Sequence, residues 1–99
     1  MFIRKKTRIA KERGITFDFV AVTSKRTQYG PRQKVIAHLG TIAERNIEHP
    51  VMGRLHHRYL WQRAFPKIAA VVEAHVAEQD RGRVRESLIA ALSRHVAMP

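Results

Sequence analysis

The chain has 99 residues, 44% of them apolar, a net charge of +11 and no cysteine. That length suits one small domain, and the apolar share supplies a core and excludes full disorder; stability on the order of 5 kcal/mol is expected. Without thiols there are no disulfide staples, thiolate zinc sites or cysteine nucleophiles. No run reaches the roughly 18 apolar residues of a membrane span, and the basic start MFIRKKTRIA lacks the apolar core of a signal peptide. A cytoplasmic protein with no membrane partner is expected.

Residues 2–9, with Phe2, Ile3 and Ile9 among basic residues, predict a first strand, and Lys11 to Gly14 a turn. Residues 15–23 (ITFDFVAVT) give the strongest strand signal, being β-branched and aromatic. Ile15, Phe17, Phe19 and Ala21 fall on its more apolar face, which predicts a core role for the two phenylalanines rather than base stacking. Residues 24–32 read as a polar, basic loop ending in the turn Gly30-Pro31. Residues 33–39 read as a third strand, with Val35, Ala37 and Leu39 toward the core, Lys34 and His38 on the other face, and Gly40 ending it. Three strands with short connections imply an antiparallel sheet with one face left open.

Residues 40–50 read as a connector with some helical character, and Pro50 as the first turn of a helix. Helical period then runs over about 51–77, through Trp61, Ala64, Phe65, Ile68 and Val72, with a kink or break expected near Pro66. Asp80 predicts an N-cap for a last helix over 81–96, with Val84, Leu88, Leu92 and Val96 on its apolar stripe. The expected fold is α+β: one domain over 1–99, with a basic β region (1–40) followed by two or three helices (41–99).

Charge is uneven. Residues 1–40 hold ten Lys/Arg against two acids, a net of +8, whereas residues 41–99 hold nine against six, a net of +3. A half so charged points to a polyanion, nucleic acid first, with an anionic membrane surface or an acidic protein as alternatives. Arg4, Lys6 and Arg8 share one face of the first strand; Lys25, Arg26, Arg32 and Lys34 flank the loop. These seven are the candidate phosphate contacts. The competing reading is a basic surface that is merely solvated.

The segment Arg32-Gln33-Lys34-Val35-Ile36-Ala37-His38-Leu39-Gly40 resembles the "RQR-hydrophobic-I-A-x-L-G" stretch that closes the short N-terminal β region of DDE-class insertion-sequence transposases. The whole chain is similar to a family of short stand-alone bacterial proteins. Leu60-Trp61 stands at that family's "FW" helix, and Val84-Arg85, Ala90-Ala91-Leu92 and Val96 stand at its terminal "VR…AAL…V-P" pattern. Two positions depart from the pattern: Ala21 where an acidic residue is common, and Leu60 where the family has Phe. The resemblance implies a DNA-binding region without the RNase H-like catalytic domain.

The residues offer no chemistry of their own. None of the eight carboxylates except Asp18 lies near an apolar strand end, so a metal-binding carboxylate triad is not expected. His49, His56 and His57 cluster in sequence, but next to Arg54 and Arg58 they read as exposed helix histidines. His75 and His95 read as helix-contact residues. There is no phosphate-binding loop, and Ser24, Ser87 and Ser93 have no evident base partner. The expected function is non-catalytic nucleic-acid binding, DNA before RNA, with no cofactor or metal. The alternative is a protein–protein or homodimerisation module built around Trp61, Phe65 and Ile68, with the basic half only solubilising.

Overall fold

The computed structural model describes residues 1–99 except Arg13 and Glu48, and all side chains among these but that of Ala10. Arg13 of the expected first turn and Glu48 of the connector thus lie outside the described residues. Three strands, β1 (Phe2–Ala10), β2 (Gly14–Thr27) and β3 (Gly30–Ala43), form an antiparallel sheet in the order β1-β2-β3. A short helix α1 (Glu44–Ile47), a long helix α2 (Met52–His75), a 3-10 turn (Glu78–Asp80) and helix α3 (Arg81–Ser93) follow. The α+β reading holds.

One face of the sheet carries the helices. Phe19 from β2 and Leu39 and Ile42 from β3 are buried against Leu60, Trp61, Ala64, Ile68 and Val72 of α2, Leu88 and Leu92 of α3, and Val96. Leu60, Ala64, Ile68 and Val72 recur every four positions, with Trp61 beside them, which gives the helix its apolar stripe. Phe17 lies at the margin, with the Lys5 ammonium 4.7 Å from its ring centroid. Among the described residues no helix is long and apolar enough to cross a membrane.

Several expectations change. Residues 24–32 are not a loop. β2 and β3 stay paired out to Thr27↔Gly30, and only Gln28 and Tyr29 connect them. Gly30 supplies the positive φ (103°) that the turn needs, and the Thr27 hydroxyl donates to the Gly30 carbonyl at 2.7 Å. Pro31 sits in β3, an outer strand, where a missing N–H is tolerated.

Gly40 does not end the third strand, which runs on to Ala43. Its lack of a side chain lets Leu60 close on the sheet: a Cβ there would lie 2.9 Å from Leu60 Cγ. Pro66 does not break α2. Pro66 and Gln62, whose carbonyl it deprives of a donor, are both exposed, so water can substitute. The last helix ends at Ser93 rather than 96. Asp80 makes no side-chain cap bond and instead pairs with Arg83 at 3.5 Å. His49 performs the capping that Asp80 was expected to do, at α2: its Nδ1 accepts from the N–H of Val51 (3.3 Å) and of Met52 (3.0 Å).

The tail beyond α3 is clamped to α2. The Trp61 indole N–H is shared between the carbonyls of Val96 and Ala97, both at 3.1 Å, and the Ala97 N–H donates to His57 Nδ1 at 3.0 Å. Trp61 and His57, one turn apart, therefore both hold the backbone of Ala97, Trp61 holds that of Val96 as well, and Val96 is fully buried. His57 is half-buried rather than exposed, and its Nε2 is buried without a partner. His95 reaches the sheet rather than a helix; its ring lies 5.7 Å from that of Phe19. His75 is exposed.

This clamp predicts acid sensitivity. Burial, then the neighbouring His56, holds the His57 pKa below the ordinary 6.5, and an Nδ1 that accepts an N–H must be unprotonated. Burial, then Lys5 and Arg94, lowers that of His95. The unfolded chain takes up these protons near pH 6.5 and the folded chain only lower. Stability is therefore complete above pH 6.5 and falls as the pH drops below it. Thermal melts taken from neutral pH down to about pH 5 should show that fall, and a His57→Asn/His95→Asn variant should show less of it. Identical slopes in the two proteins would refute the assignment.

Candidate nucleic-acid interface

Among the described residues, no layer covers the second face of the sheet. Its composition follows from register. Arg4, Lys6 and Arg8 of β1 pair with Val20, Asp18 and Thr16 of β2; Thr41, His38 and Val35 of β3 pair with Asp18, Val20 and Val22. Side chains on directly paired residues share a face, so all of these project to the open side. The middle row is nonetheless covered: Val20 is 3% and Val22 0% exposed. Phe2 and Val35 flank Val22, and Arg4 and His38 flank Val20, so the stems of the outer rows shield the inner one.

Asp18 organises the centre of this face and, among the described residues, is its only carboxylate. Its Oδ1 accepts from the Thr41 hydroxyl at 2.6 Å, and lies 3.6 Å from Arg8 Nη2 and 3.8 Å from His38 Nε2. Arg4 Nη1 donates across β2 to Gln33 Oε1 at 3.2 Å. Two arginines are thus held flat on the sheet, whereas Lys6 makes no ion pair among the described residues. At exposed sites these pairs add little stability; they fix direction.

β1 ends at the Phe2↔Val22 pair, and β2 and β3 continue as a two-stranded arm. Its five pairs, from Thr23↔Lys34 to Thr27↔Gly30, extend it by about 17 Å. Tyr29 at the tip is 79% exposed. The arm carries Lys25, Arg26, Arg32 and Lys34, all exposed, but it does not present them together. Arg26 lies two positions from Ser24, the partner of Gln33, and so shares the open face with Arg4. Lys25↔Arg32 and Thr23↔Lys34 project to the opposite side, that of the helices.

Lys34 and His38 therefore lie on opposite faces, not on one. The cause lies in β3: of Ile36 and Leu39, which have no partner in the ladder, Ile36 falls between Lys34 and His38. The unpaired Ile36 shifts the alternation by one residue, which also turns Val35 outward, 43% exposed, while Leu39 reaches the core. The adjacent apolar residues Val35-Ile36, which break strict alternation, are the sequence trace of this bulge.

The sequence reading missed a basic edge contributed by α2. Lys67 Nζ donates to the His38 carbonyl at 2.9 Å. One turn back, Arg63 joins His56, Tyr59 and Thr41 in lining a cleft of about 430 Å³ at the edge of β3. Thr41 belongs to the open face as well, so the cationic surface turns the corner from sheet to helix. Among the described residues no group of three or more His, Cys, Asp or Glu gathers closely enough to hold a metal ion.

The fold and site define a basic α+β domain with one open sheet face and a projecting β arm. No family model, curated protein or solved structure matches the chain.

Proposed function

We propose that the domain binds duplex DNA without catalysing a reaction, through the open face of its sheet. One observation carries this reading. Arg4, Lys6, Arg8 and Arg26 project from one side at strand spacing, and the single acid among them is already engaged by Arg8, His38 and Thr41. A three-stranded sheet with an arm is shaped to enter a major groove, with its outer cations on the flanking phosphates. The transposase-like segment 32–40, which forms most of β3, points the same way.

The interaction-module reading draws less support, because Trp61 and Ile68 are 1% and 0% exposed and already spent in the core. Of the three residues on which it rests, only Phe65, 39% exposed, offers surface. Titration of a short duplex at low salt, repeated at rising salt, tests the DNA reading. Binding that weakens steeply with salt is expected; no binding at low salt would refute it. Competition with structured RNA decides between the two nucleic acids.

A further inference from the structure

Three of the seven cations, Lys25, Arg32 and Lys34, face away from the proposed DNA surface, and they do not face empty solvent alone. Below them, between the root of the arm and the junction of α2 with α3, lies a cleft of about 540 Å³. Lys25 lines it from the arm, and Arg83 and His75 line it from the helices. Thr23 and Ser87, whose hydroxyls can donate to phosphate oxygens, also line it. Among the described residues its acid is Asp80, which lies 3.5 Å from Arg83 and offsets that charge, so the excess positive charge of the cleft comes from Lys25. Arg32 and Lys34 continue the positive wall up the arm, as the register partners of Lys25 and Thr23.

This surface and the open face lie on opposite sides of the same sheet, in a molecule whose least dimension is 17 Å. A duplex seated on the open face leaves Lys25, Arg32 and Lys34 directed away from it. Resting on the DNA reading above, we infer that the helix side of the arm and its cleft form a second phosphate-binding site. One molecule then holds two duplex segments, one on each side of the sheet. The arm serves both, since Arg26 belongs to one face and Lys25 and Arg32 to the other.

A capture assay tests this. A short duplex is fixed to beads, the full-length protein is added, and retention of a second, labelled duplex is measured. The wild type should retain the labelled duplex. A Lys25→Ala/Arg32→Ala/Arg83→Ala variant should load onto the beads but retain about tenfold less label. All three residues are exposed, and a thermal melt checks that the variant is folded. Wild-type protein that loads but retains no label overturns the second site and leaves the first standing. Equal retention by the variant also overturns it, because bridging would then come from association of two copies. Protein that does not load at all overturns both readings.

Discussion

Trp61→Ala is expected to leave little folded protein at ambient temperature. Removing a buried aromatic side chain costs about 3–5 kcal/mol, close to the whole stability of a small domain. Trp61 is 1% exposed, and it does more than fill space. Its N–H is the donor to the carbonyls of both Val96 and Ala97, so its loss frees the tail that carries Val96 into the core. Trp61→Phe separates the two roles. It keeps a ring near Phe65, whose centroid lies 4.8 Å away, and loses only the indole donor. That variant should be destabilised by about 1–3 kcal/mol, the cost of leaving buried acceptors without a donor. Urea denaturation of the three proteins gives the order directly. A Trp61→Ala protein as stable as the wild type would refute the clamp. Loss of self-association on changing Trp61 would, for the same reason, report unfolding. Phe65→Ala is the informative substitution for the interaction-module reading.

Local pattern made part of this molecule legible and non-local pairing hid the rest. Alternation alone put Arg4, Lys6 and Arg8 on one strand face, opposite Ile3 and Thr7, and the register agrees. The four-residue recurrence of Ala64, Ile68 and Val72 marked the buried side of α2. The arm escaped because its residues are polar. Nothing in SKRTQYGPR signals a strand when read alone; those residues are extended because β2 and β3, already paired through Val22, propagate the ladder to Gly30. The bulge at Ile36 escaped because a strand read residue by residue keeps its parity, and one unpaired residue reverses every assignment beyond it. Lys34 is the casualty. His57 read as a surface residue because its partner, Ala97, is forty positions away. Arg63 and Lys67 were passed over because their part in the site depends on how α2 lies against the edge of β3.

Alanine at Arg4, Lys6 and Arg8 together should change the salt dependence of DNA binding more than it changes the fold. All three side chains are exposed; relief of like-charge repulsion along β1 is set against loss of the Arg4 stem over Val20 and of the Arg8–Asp18 pair, so the melting temperature should fall only slightly. Each phosphate contact contributes about −0.9 to the slope of log K against log salt, so losing three should flatten that slope by about 2.7. Between about 50 and 200 mM salt, the wild type would then lose about 40-fold more affinity than the variant. A variant that binds more weakly at every salt concentration with an unchanged slope would mean that these residues shape the sheet rather than neutralise phosphates. Asp18→Asn supplies the opposite sign. It removes the negative charge of Asp18 from the face and frees Arg8 and His38 from it, so affinity for any duplex should rise. The Thr41 hydroxyl keeps an acceptor in the asparagine carbonyl oxygen, which preserves the centre of the sheet while the charge is lost. Tighter binding by Asp18→Asn together with a flattened slope in the triple variant is the combination that a sheet face working through its charge must produce.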